Sequence, residues 1–143
     1  DVNSEGLLVL TSDGPLAQAM MSPDNALSRL YRVRVRGQLT RENIDAIAQG
    51  ITIDEVEYRG AEFVEEYGLE GRANRWYRCV LTEGKNREIR KLFDYFGCVV
   101  NRLVRLQYGP FTLGDMQPGD LREVPAAQVQ ALMQELERKG AKL

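Results

Sequence analysis

Tyr31-Arg32-Val33-Arg34-Val35-Arg36 alternates apolar and cationic side chains without a break. Successive side chains of an extended strand point to opposite faces. A period of two therefore puts Tyr31, Val33 and Val35 on one face and Arg32, Arg34 and Arg36 on the other. The spacing predicts a half-buried strand with an arginine-coated outer face. Upstream, Gly6–Thr11 reads as a buried strand, and Asp13-Gly14-Pro15 opens a short helix, proline being favoured at a first helical position. Downstream, Thr40 is placed to cap a helix whose Ile44, Ile47 and Ala48 face the core before Gly50 ends it.

Residues 56–66 and 75–82 read as two strands joined by the segment 67–74, with Trp76 expected to anchor the second. Asn86 is expected to cap a helix running through Phe96 and ended by Gly97. Its Ile89, Leu92, Phe93 and Phe96 form one apolar stripe at helical spacing. Short strands near 98–101, 103–108 and 121–124 follow. A final amphipathic helix carries Val129, Leu132, Met133 and Leu136. Strands dominate, with helices scattered between hairpin-like pairs. The fold class expected is α+β, a largely antiparallel mixed sheet flanked by short helices.

The chain has 143 residues, enough for one domain with its own core. Hydrophobic content of 43% with 28% charged residues excludes a disordered chain. The apolar runs reach only about five residues, against the roughly twenty needed to span a bilayer. No membrane partner is therefore expected, and the cytoplasm is the expected compartment. Cys79 and Cys98 are expected to be free thiols there. The absence of histidine removes Ser-His and Cys-His nucleophile pairs and His-ligated metals. Two distant cysteines alone do not build a zinc site. No metal is expected, and chemistry must run on carboxylates, arginines, lysines, tyrosines and backbone.

Net charge is only −2, but the charge is segregated. Residues 29–41 hold five arginines and no acid, and residues 85–91 hold Lys85, Arg87, Arg90 and Lys91 against Glu88. Acid gathers in 54–70, from Asp54 to Glu70. This pattern fits a basic RNA-facing surface with an acidic back, and equally a mosaic of solvated faces.

Glu83-Gly84-Lys85-Asn86-Arg87-Glu88-Ile89-Arg90 places basic groups at the start of a helix, where anions are favoured and arginine adds bidentate contacts. The G-x-x-x-x-G-K-[ST] spacing is absent, which excludes a P-loop and a nucleotide cofactor. At roughly 100° per residue, with Ile89 marking the core, Arg87 lies about 160° away, towards solvent or RNA. Arg90 lies about 100° away, on the border of the core. There it either reaches inward to a carboxylate or lays its stem on apolar surface. Tyr31 is either a core tyrosine with a satisfied hydroxyl or a ring offered to a ligand. Asp1 alone is a solvated end.

Taken together, Asp1-Val2-Asn3-Ser4-Glu5-Gly6-Leu7-Leu8, Arg29-Leu30-Tyr31-Arg32-Val33 and Glu83–Arg90 resemble, in order and spacing, motifs of the RsuA/RluB-type pseudouridine synthase family. Arg102-Leu103-Val104-Arg105-Leu106-Gln107-Tyr108-Gly109 is similar to that family's later motif, and Leu113 through Val124 to its closing segment. The resemblance covers nearly everything from Asp1 to about Pro125. It implies a pseudouridine synthase fold and the isomerisation of one uridine in ribosomal RNA, without a cofactor. It implies that Asp1 is the essential aspartate, that Tyr31 packs on the target base, and that Arg90 pairs with the aspartate. Leu103 would pack beneath the site, and Lys85, Asn86, Arg87 and Arg32 would bind RNA. The Asn86-Arg87-Glu88 variant resembles the RluB branch, which acts on large-subunit rRNA.

The implied partner is a structured rRNA stem-loop with the uridine flipped out, met by a monomer. Ser4 stands where threonine is common. The Arg-Leu that precedes the aspartate in the family is missing from these residues, as is its S4-like RNA-binding domain. The expectation is thus a catalytic domain, residues 1–143, truncated at its N-terminus from a longer protein. Two other classes stay open: a catalytically silent RNA-binding module, and an α+β protein-interaction domain that uses the acidic 54–70 segment.

Overall fold

The computed structural model describes residues 3–66 and 73–143. Strand β2 (Arg29–Arg36) is the middle of a six-stranded sheet. Along its whole length it pairs antiparallel with β6 (Asn74–Leu81) on one side and β7 (Val99–Tyr108) on the other. β5 (Glu62–Glu65) continues the sheet beyond β6, again antiparallel. The far edge of β7 is shared by β1 (Glu5–Gly6), which is parallel to it, and β8 (Phe111–Thr112), which is antiparallel. β3 (Ile51–Ile53) and β4 (Val56–Tyr58) form a separate two-stranded ribbon. The mixed, mostly antiparallel sheet and its class are as expected.

The alternation in β2 works as its spacing implies. Val33 and Val35 are fully buried, while Arg32, Arg34 and Arg36 lie on the opposite face. Helices α2 (Arg41–Gln49) and α3 (Glu88–Tyr95) cover the apolar face, bringing Ile47, Leu92 and Phe93 onto it. Phe93 sits between the rings of Phe63 and Tyr77, with centroids at 5.1 and 5.3 Å. Thr40 caps α2 in a reciprocal box: Asn43 N donates to its hydroxyl at 3.1 Å, and Thr40 N donates to Asn43 Oδ1 at 3.0 Å. A second core joins α1 (Gly14–Met21) to α4 (Ala126–Arg138) through Leu16, Met20, Leu132 and Leu136, with Tyr108 and Phe111 of the sheet. Asp13 caps α1 by accepting from Leu16 N at 3.0 Å. Cys79 and Cys98 are buried free thiols. Among the described residues no helix is long and apolar enough to cross a membrane.

Several elements differ from the sequence reading, each for a physical reason. The run Gly6–Thr11 is not a strand beyond its first residue. Leu7 N donates to Arg105 O at 2.8 Å, but β8 then occupies the edge of β7 that Leu8 onward would need. Gly6 makes the short pairing possible: its φ is +101°, and a Cβ there would lie 2.3 Å from Arg105 O. Residues 56–66 are two strands, because Gly60 passes so close to Ala48 that a Cβ would meet its carbonyl at 2.3 Å. The strands expected at 98–101 and 103–108 are one, β7, which skips a residue against β2 at Asn101 and again at Leu106. Residues 121–124 form no strand, and Leu121 is 91% exposed.

Trp76 does not anchor the core. It sits opposite Arg34 on the outer face, with the Arg32 guanidinium 3.9 Å over its ring. Tyr77 is the buried anchor instead, its hydroxyl accepting from Leu39 N at 2.9 Å. The segment 67–74 falls largely outside the described residues.

Phe93→Ala removes a fully buried ring shared by a helix and two strands, and should cost roughly 3–5 kcal/mol. Urea denaturation should record this as a lower midpoint at unchanged slope.

Candidate active site

The inward face of β2, the turn after β6 and the start of α3 meet around one cleft of about 780 Å³. Tyr31 lines it, half-buried against the main core. Leu103, opposite Val33, is buried beside it. Lys85, Asn86, Arg87 and Arg90 close the other side. Six of the eight residues singled out in the sequence therefore converge here.

Arg90 reaches from α3 across to the chain start. Its Nη2 donates to Asn3 O at 3.1 Å, and its Nη1 to Val100 O at 3.4 Å. Both of these acceptors are backbone carbonyls, where the helical position suggests a carboxylate. Asp1 lies outside the described residues. Arg32 does not join the cleft: it projects from the opposite face of β2, pairs with Glu66 at 3.0 Å and covers Trp76. The parity that directs Tyr31 inward directs its neighbour outward.

The turn between β6 and α3 differs from the expected cap. Asn86 does not cap the helix; Arg87 precedes it, with φ +53° in the left-handed region, and the helix starts at Glu88. Arg87 is therefore off the helical surface, and the angle derived for it does not apply. A non-glycine residue in that conformation is held by its surroundings at some cost. The turn around it is closed between Lys85 and Glu88: the Glu88 side chain accepts from Lys85 N at 3.3 Å, and Glu88 N donates to Lys85 O at 3.2 Å.

Glu83 anchors the same turn from below. Its carboxylate accepts from Arg59 N at 2.7 Å and forms an ion pair with Lys85. Burial alone would raise its pKa, but the Lys85 ammonium and the Arg59 amide outweigh that and hold it below the usual carboxylate range.

Four residues of the site escaped the sequence reading of chemistry: Arg29, Glu83, Arg105 and Tyr108. Arg29 is buried, and all its hydrogen bonds go to neutral oxygens: Leu27 O at 2.7 Å, Met20 O at 3.3 Å, Met21 O at 3.4 Å and Tyr108 Oη at 3.1 Å. Tyr108 lies between two guanidiniums, Arg29 at 4.8 Å and Arg105 at 4.9 Å from its ring centre. Arg105, opposite Tyr31, also donates to Leu7 O at 2.9 Å. The cleft is thus lined by five basic residues, Arg29, Lys85, Arg87, Arg90 and Arg105, against three acidic ones, Glu5, Glu83 and Glu88. Among the described residues no three His, Cys, Asp or Glu side chains gather as a metal site would need. A cationic cleft with a tyrosine on its wall suits a polyanion that offers a planar base.

The sequence model of a family described as RNA pseudouridylate synthase matches residues 1–95. The chain belongs to that family. Its relatives include the ribosomal large subunit pseudouridine synthase B of Pseudomonas aeruginosa, 38% identical over all of this chain and 37% of that protein. An uncharacterized RNA pseudouridine synthase of Rickettsia felis is 41% identical over 87% of this chain and 53% of that protein. The chain thus spans between about a third and a half of these relatives. A crystal structure of a pseudouridylate synthase superposes with a TM-score of 0.79 at 22% identity, covering 92% of this chain and 56% of that one, and so shares the fold.

Arg29→Met takes the guanidinium donor from Leu27 O, Met21 O and the Tyr108 hydroxyl, leaving Met20 O with the Tyr108 hydroxyl alone. It should cost about 1–3 kcal/mol, read as a lowered denaturation midpoint.

Proposed function

We propose that the protein carrying this chain isomerises uridine to pseudouridine in RNA, in particular in large-subunit ribosomal RNA, the substrate named for the Pseudomonas relative. One observation carries the reading: Tyr31, Leu103 and Arg90 line a single cationic cleft, and Arg90 bonds the backbone two residues after Asp1. In the reaction the N1–C1′ bond breaks, the base rotates and C5 bonds to C1′. The C5 proton leaves and N1 gains one, so atoms balance with no redox partner. A base stacked within structured RNA must first be flipped into the site.

In this reading Asp1 supplies the carboxylate, either attacking C1′ or taking the 2′ proton. Arg90 holds that carboxylate ionised, since a nearby cation favours the charged form. Tyr31 stacks on the flipped base, with Leu103 beneath. Lys85, Asn86 and Arg87 contact the RNA backbone, which fixes register and adds salt-dependent affinity. Choice of the target uridine belongs to the rest of the protein and to RNA shape.

In the full-length protein, Asp1→Asn should abolish tritium release from 5-tritiated uridine in RNA, with RNA affinity held within about threefold, under 1 kcal/mol. Undiminished release would remove Asp1 from the chemistry. Tight RNA binding by a wild type that releases no tritium would mark a silent RNA-binding module. Arg90→Ala should lower turnover more than affinity. For Arg87→Ala, weaker binding should come with a salt slope shallower by about one; an unaltered slope would take it off the RNA backbone.

A further inference from the structure

Glu83 and Glu88 are 2% and 3% exposed, and both carboxyl groups meet at Lys85 on the wall of the cleft, Glu83 at its ammonium and Glu88 at its backbone N–H. Both oxygens of Glu83 have donors, Arg59 N and Lys85 Nζ. Glu88 Oε1 accepts from Lys85 N, but its Oε2 is buried with no donor among the described residues. Ionised carboxylates only accept, so two of them cannot bond each other. A buried charged oxygen without a donor is costly as well. One proton on Glu88 resolves both problems, because it turns the orphaned carboxyl into a donor to Glu83, which Lys85 keeps ionised.

We propose that Glu88 is a positioning residue for the synthase reaction: as a neutral acid it donates to Glu83 and locks the turn that presents Lys85 and Arg87 to the cleft, at the head of the helix that carries Arg90. The role rests on the reading of the cleft as a synthase site. The titratable groups that act on Glu88 are Glu83 and Lys85 of the turn and Tyr58 of β4. Within this cluster Lys85 alone forms an ion pair with either carboxylate among the described residues.

Burial first, and then the charge on Glu83, pushes the Glu88 carboxyl from 4.5 up to about 8. Its folded value lies above its solvated one, so the folded state holds the extra proton in between. Stability from this group is therefore fully present below 4.5 and is lost as pH rises towards about 8. Above that, two buried anions share one ammonium and the turn loses its lock.

The test uses the full-length protein with carbon-13 labelled glutamate, following side-chain carboxyl shifts against pH. One carboxyl should titrate near 8; it should vanish in Glu88→Gln, and its midpoint should fall by about one unit in Glu83→Gln, where the like charge is gone. Glutamates that all finish titrating in the ordinary acid range would overturn the proposal. In parallel, tritium release by the wild type should drop about tenfold from roughly pH 7 to pH 9, the ratio of protonated fractions for a group titrating near 8. Glu88→Gln, whose amide also donates, should lack this limb. If it keeps the wild-type limb, the positioning role fails. A wild type that releases no tritium at any pH overturns the synthase reading and the role with it, while the carbon-13 midpoint still decides the shared proton.

Discussion

Every residue of β2 is paired on both sides, to β6 and to β7, and that double pairing fixes which way each side chain points. A slip of one residue would turn the whole strand over. Tyr31 would leave the cleft, and three arginines would enter a core now filled by Val33, Val35, Leu92 and Phe93. The cost of burying unpaired cations forbids that register. Because α3 rests on the same apolar face, the register of β2 also sets where Arg90 emerges. The turn that carries Lys85 and Arg87 hangs from the end of β6, whose own register β2 dictates.

Features governed by local chemistry were legible in the sequence. The alternation of β2, the helix opening at Asp13-Gly14-Pro15, the cap at Thr40 and the stripe Ile89–Leu92–Phe93 each depend on neighbours within a few residues, whereas the cap expected at Asn86 gave way to the turn closed between Lys85 and Glu88. The family motifs pointed to Tyr31, Leu103, Lys85, Asn86, Arg87 and Arg90, and these share one cleft. What could not be read depends on strands meeting across the chain. Trp76 lies outward because Arg34 faces it across β6 and β2. The strand expected from Gly6 stops because β8, about a hundred residues later, has taken its edge.

Arg29 and Arg105 show the same limit from the side of function. Arg29 appeared only as part of a motif, and its partners on α1 and at Tyr108 become visible only when the strands close. Arg32 carries the opposite lesson. A motif made it a companion of Tyr31, yet strict alternation already separated the two.

Arg29 has a consequence for the electric field of the molecule. Carbonyl and hydroxyl oxygens satisfy its donors, but they are dipoles and bring no opposing charge. Its full positive charge therefore stays in place beneath a low-dielectric wall, which focuses field lines outward through the opening. A protein of net charge −2 can in this way turn an attractive potential towards a polyanion at one point of its surface. That potential is set by buried structure, and added salt screens it less than it screens the exposed arginines of the outer face.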